Sequence, residues 1–96
     1  MSAQIAAMLV RSSDVCGGRL RIEGTRITVH QITVWYKQGY SPEEIADQYP
    51  HITLAQVYAA LAYYHANKEE IEKELADEKI EADRLEEEHK RNPVTV

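Results

Sequence analysis

Three times between Thr28 and Gln56 a Ser or Thr stands three positions ahead of a Gln or Glu: Thr28-Val-His-Gln31, Ser41-Pro-Glu-Glu44 and Thr53-Leu-Ala-Gln56. Each spacing is that of a capping box, in which two side chains satisfy backbone N–H groups at a helix start. A helix leaves its first N–H groups without partners, so a chain that repeats this device is committed to three helix starts in quick succession. The elements between them must be short. The first is expected from about Val29 to Lys37, with Ile32, Trp35 and Tyr36 on one face and Gly39 as its stop. Pro42 follows the Ser41 cap at the helical position that tolerates Pro best. Ile45, Ala46 and Tyr49 form the apolar side of this second helix, and Pro50 ends it.

The third start leads into a much longer pattern. A 3–4 spacing runs through Leu54, Val57, Leu61, Tyr64, Lys68, Ile71, Leu75, Glu78, Ala82, Leu85 and His89, with no Gly or Pro before Pro93. Residues 53–91 as one helix would make a rod about 58 Å long. Lys68, Glu78 and His89 spoil the seam, so any coiled coil is weak or short. Ile80 lies off it, and Ala66-Asn67 is the place where the helix is expected to bend or end. Upstream, "RLRIEG" and "TRITV" fit two short strands joined or bent at Gly24.

Charge divides the chain along the same lines. Residues 1–40 hold Arg11, Arg19, Arg21, Arg26 and Lys37 against Asp14 and Glu23; residues 41–67 hold Glu43, Glu44 and Asp47 and no cation. Residues 68–96 hold eleven acidic groups against six basic ones. A split of this kind points to two surfaces with different partners. The expected organisation is an N-terminal segment 1–17, a core 18–67 and an acidic amphipathic helix and tail 68–96.

Several function classes find no support. Cys16 is the one cysteine in 96 residues, so no disulfide forms within the chain, and a core this size is thin enough to favour pairing with a second copy. The apolar run in "MSAQIAAMLVRSS" is too short to span a membrane and lacks a basic start, so a cytoplasmic protein is expected. His30, His51, His65 and His89 are scattered without metal-ligand spacing. Glu86-x-x-His89 has the form used in di-iron bundles, which need further Glu residues from other helices. Gly18 to Thr25 lacks the Lys of a phosphate loop. No nucleophile stands with an obvious base, and neither a cofactor nor an enzymatic activity is expected.

The run from Gly18 to Tyr63 resembles the domain-of-unknown-function family 433, whose members are antitoxin-like. The matching stretches are Gly24-Thr25-Arg26-Ile27 with Val29, Gly39 with Ser41-Pro42-Glu43-Glu44-Ile45, Tyr49-Pro50-His51-Ile52-Thr53 with Val57, and Ala60-Leu61-Ala62-Tyr63. Leu20, Thr28 and Ile52 depart from the family's Pro, Pro and Leu. The resemblance implies a small homeodomain-like or winged-type helix-turn-helix preceded by short strands, together with a toxin partner, commonly a PIN-like ribonuclease.

The expected protein is therefore mainly α: a three-helix, helix-turn-helix core with a short N-terminal β ribbon and a long C-terminal helix. As an antitoxin it would bind a ribonuclease toxin and its own operator DNA as a homodimer. Thr53 and Gln56 begin the recognition helix, and Gln56 is placed to bond adenine bidentately. That helix has no cation, so phosphate contacts fall to Arg19, Arg21, Arg26 and Lys37, where paired strands would form a basic ribbon. Arg26 has a structural alternative as a clamp on Glu44 or Asp47. Ile71, Leu75, Ile80 and Leu85 would lie in the toxin's groove, with Arg84, Lys90 or Arg91 entering its acidic site. The alternative is a scaffold whose helices only self-associate.

Overall fold

The structure, a computed structural model, describes residues 4–91, with Arg91 described by its backbone alone. A 3-10 turn, Ile5–Met8, precedes strand β1, Leu9–Val10; a second, Cys16–Gly18, precedes β2, Arg21–Ile22. Four α-helices follow: α1 Val29–Lys37, α2 Pro42–Asp47, α3 Leu54–Ala66 and α4 Lys68–Arg91. The chain is mainly helical.

All three capping boxes form. Thr28 Oγ1 accepts from Gln31 N at 3.1 Å, and Thr28 N donates to Gln31 Oε1 at 2.8 Å. The corresponding distances are 3.2 and 2.9 Å for Ser41 and Glu44, and 3.2 and 2.7 Å for Thr53 and Gln56. Bonds from the Ser41 backbone and hydroxyl hold the Glu44 carboxyl below its usual range. Gly39 closes α1 at φ 98°, a left-handed conformation suited to Gly, and donates to Tyr36 O at 3.0 Å.

One expectation changes, and the break expected in the long helix is found. Of the two strands read from 19–29, only Arg21–Ile22 forms; Thr28 contributes a single bridge to Arg21. The partner strand comes from the N-terminal segment, with Leu9 opposite Ile22 and Val10 opposite Arg21. A strand this short shows no alternation, which is why its sequence carries no strand signal. The long 3–4 pattern is carried by two helices, α3 and α4. Asn67 takes φ −129°, ψ 39°, and its side-chain amide donates to Tyr63 O at 3.1 Å, ending α3 where α4 begins. The break falls at the Ala66-Asn67 position singled out in the sequence.

The core gathers Ile22, Val29, Ile32, Ile45, Val57, Leu61, Tyr64 and Ile71. The buried face of α1 is Val29, Ile32 and Thr33, while Trp35 sits half-buried at its edge and donates to Tyr49 Oη at 2.8 Å. Thr33 is fully buried, and its hydroxyl is satisfied by Val29 O at 2.8 Å. Ile71 brings the start of α4 into this core, with Leu75 packed beside it.

Candidate functional site

The acidic helix lies against the cationic part of the chain. His30 of α1 is the centre of this contact: its Nδ1 meets Glu78 Oε2 at 2.7 Å and its Nε2 meets Glu74 Oε1 at 2.9 Å. One imidazole side chain thus joins two carboxylates that lie one turn apart on α4. Arg19 Nε reaches the same Glu78 oxygen at 3.3 Å. One turn nearer Asn67, Glu72 accepts from Lys37 and from the Tyr64 hydroxyl. Those two bonds, Lys37 first, hold the Glu72 carboxyl below its usual range; the bond to Glu72, assisted by burial, pushes Tyr64 up to about 12.

Arg19 and Lys37, two cations nominated for phosphate contact, thus carry carboxylate partners from α4. Arg21 is buried, with Nη2 on Ser12 Oγ at 2.9 Å. Arg26 is exposed, and among the described residues it forms no ion pair with Glu44, Asp47 or any other group. Its carbonyl accepts from Cys16 Sγ at 3.4 Å. A cleft beside the β ribbon is lined by both Arg21 and Arg26, together with Ser12, Glu23 and Thr25.

Helix α3 presents different chemistry. Leu54 (39% exposed) and Tyr58 (50%) share its solvent face with Ala55 and Ala62, and no charged residue lies between Thr53 and Lys68. Tyr58 Oη donates to Glu43 Oε1 at 3.4 Å. The Gln56 Oε1 nominated for adenine is occupied by the Thr53 N–H of the cap.

The partner residues nominated on α4 fall into two groups. Ile71 and Leu75 belong to the core, whereas Ile80 (66% exposed) and Leu85 (51%) face solvent. Arg84 bridges Glu81 at 2.6 Å and Glu88 at 2.7 Å, and Lys90 pairs with Glu86 at 3.2 Å. The Arg91 side chain lies outside the described residues. Bonding to Arg84 holds the Glu81 carboxyl low and raises Arg84 in turn. Among the described residues no group of three His, Cys, Asp or Glu could hold a metal ion, and no helix is long and apolar enough to cross a membrane.

The site residues that sequence reasoning missed are His30, Glu72, Glu74 and Glu78. Their partners are far away along the chain, up to 48 positions for His30 and Glu78. The i, i+4 carboxylates Glu74 and Glu78 were the available signal, but they resemble any solvated helix face.

The model of a family described as a protein of unknown function, DUF433, matches residues 9–64. The chain belongs to the DUF433 family. The match runs from β1 into α3, ending at Tyr64, and leaves out α4. The crystal structure of a DUF433 member protein from Anabaena variabilis is similar, with a TM-score of 0.67 and 36% identity, covering 73% of this chain and 69% of that one. No curated protein matches this DUF433 chain.

Proposed function

We propose that the chain is an antitoxin-like, protein-binding module whose partner surface is the outer half of α4. The observation that carries this reading is the exposure of Ile80 and Leu85 on a helix that continues about 20 Å past Glu78. Glu78 is the last residue of α4 paired with α1 or the segment before it, among the described residues. Large apolar side chains carried into solvent on a helix gain by lying in a partner's groove. The carboxylates around them suit a basic protein surface, and an RNA-cleaving toxin of the PIN-like kind has that chemistry. Arg84 and Lys90 would reach an acidic site only by exchanging Glu81, Glu86 and Glu88 for the partner's carboxylates.

The order α2, turn, α3 supports a helix-turn-helix reading of the core. The uncharged face of α3 favours a second copy of this chain over DNA, since two acidic chains can meet there without like-charge repulsion. Operator DNA would then be met by Arg19, Arg26 and Lys37, of which Arg19 and Lys37 must first leave α4.

The test uses the full chain and an Ile80→Glu, Leu85→Glu double variant as baits at native expression level. The expected result is a ribonuclease retained near stoichiometrically by the wild type, inhibited by it in an RNA-cleavage assay, and lost by the variant at unchanged helix content. If both baits recover only the chain itself, the partner reading fails and a self-associating scaffold takes its place.

A further inference from the structure

A charged guanidinium taken out of water needs a counter-charge or a full set of acceptors, because desolvation of an unpaired ion costs several kcal/mol. Arg21 has neither. It is 9% exposed, its Nε is buried without a hydrogen-bond partner among the described residues, and its bond to Ser12 Oγ is to a neutral group. None of the carboxylates among the described residues pairs with it, although Arg19, Lys37 and Arg84 all find one. The residue is not placed by a need for surface charge, since it sits in strand β2 opposite Val10 with a bridge to Thr28 on its other side. The cleft that Arg21 lines has a volume of about 630 Å³ and is also lined by Arg26, which is exposed and likewise without an ion pair among the described residues. Ser12 adds a hydroxyl to the lining, and Glu23 is the one carboxylate there.

We propose that this cleft, lined by Arg21, Arg26 and Ser12, binds a dianionic phosphate group, as a phosphate monoester or free phosphate. Two guanidiniums match a double negative charge, and their fixed N–H forks suit phosphate oxygens. Donors contributed by three separate segments — the loop after β1, strand β2 and the turn after it — fit a tetrahedral group better than a planar carboxylate. A bound phosphate would supply the counter-charge that Arg21 lacks. Thr25 plays no direct part, because its hydroxyl donates to Ile22 O at 2.8 Å and accepts from Ile27 N at 3.0 Å. The site is independent of α4 and of any toxin partner.

The test is titration of the full chain with inorganic phosphate at pH 8 and constant ionic strength, followed by calorimetry and by the thermal midpoint, with acetate and dimethyl phosphate as comparison anions. Saturable binding of one phosphate per chain is expected, with a rise in midpoint that acetate does not give. Dimethyl phosphate, with a single charge, should bind at least tenfold more weakly. Arg26→Gln should weaken phosphate at least tenfold while the midpoint without phosphate stays near that of the wild type, because Arg26 is exposed. Arg21→Gln should abolish the response, and Arg26→Gln keeps the proposal testable if that variant fails to fold. A response to phosphate no larger than to acetate, or one that survives Arg26→Gln, overturns the site. Equal affinity for dimethyl phosphate overturns the assignment to a dianionic group.

Discussion

Ile71 is the residue that decides whether the acidic helix belongs to the folded core. It is 3% exposed and packed with Val29, Ile32, Leu61 and Tyr64 in one cluster, four residues into α4. Ile71→Ala removes three buried carbon atoms and leaves a cavity that the surrounding helices can only partly close. Substitutions of this kind cost about 2–5 kcal/mol, and a position at the margin of the core belongs near 3 kcal/mol. For a domain of this size each kcal/mol lowers the thermal midpoint by roughly 4–8 °C, so a fall of roughly 12–24 °C is expected. The comparison is Leu85→Ala, on the same helix but 51% exposed. Ala is the better helix former and little burial is lost, so that change should stay within about 0.5 kcal/mol. Urea and thermal unfolding followed by circular dichroism measure both. If Ile71→Ala is no more destabilising than Leu85→Ala, α4 is not docked and the contacts of Glu72, Glu74 and Glu78 lose their foundation.

Other consequences can be checked separately. Absorbance titration of the six tyrosines should show one, Tyr64, ionising last, near its raised value of about 12. A group raised in the folded state stabilises it fully below the ordinary tyrosine value of about 10 and loses that contribution as pH rises through about 12, so unfolding midpoints should fall across that window and Tyr64→Phe should remove the fall. Glu72→Gln with Glu78→Gln frees Lys37 and Arg19; if these reach phosphates, nonspecific DNA affinity rises and the salt slope steepens by about 1.8, and an unchanged slope removes them from any DNA surface. Thr53→Ala breaks the third capping box and should cost about 1 kcal/mol by urea unfolding, with α3 fraying first in hydrogen exchange.

What could be read from the residues was what they decide locally. Thr28, Ser41 and Thr53 each bond within four positions, and so their helices are written in consecutive residues. Asn67 ends α3 for the same reason, with its own side chain on Tyr63 O. The direction α4 takes after Asn67 was not legible, because it depends on Ile71 finding a gap between α1 and α3 and on carboxylates meeting Lys37, His30 and Arg19 across the fold. Arg21 was equally hidden: "RLRIEG" does not reveal which arginine turns inward until Leu9–Val10 pairs beside it. Gln56 shows the limit of residue-type reasoning, since the same amide oxygen suits adenine and a helix cap, and the cap holds it in the folded chain.

The three closed helix starts also set an order of assembly. Each nucleates over a few residues, where loop closure costs least, and α1, α2 and α3 are joined by short turns that favour rapid folding. The fourth helix must wait for them, since its bonds to Lys37 and His30 span 35 and 48 residues. The last element to arrive is ordinarily the first to leave in local opening. Local opening at α4 would part Glu72, Glu74 and Glu78 on one side from Lys37, His30 and Arg19 on the other. A partner that captures either set therefore competes directly with the docking of α4.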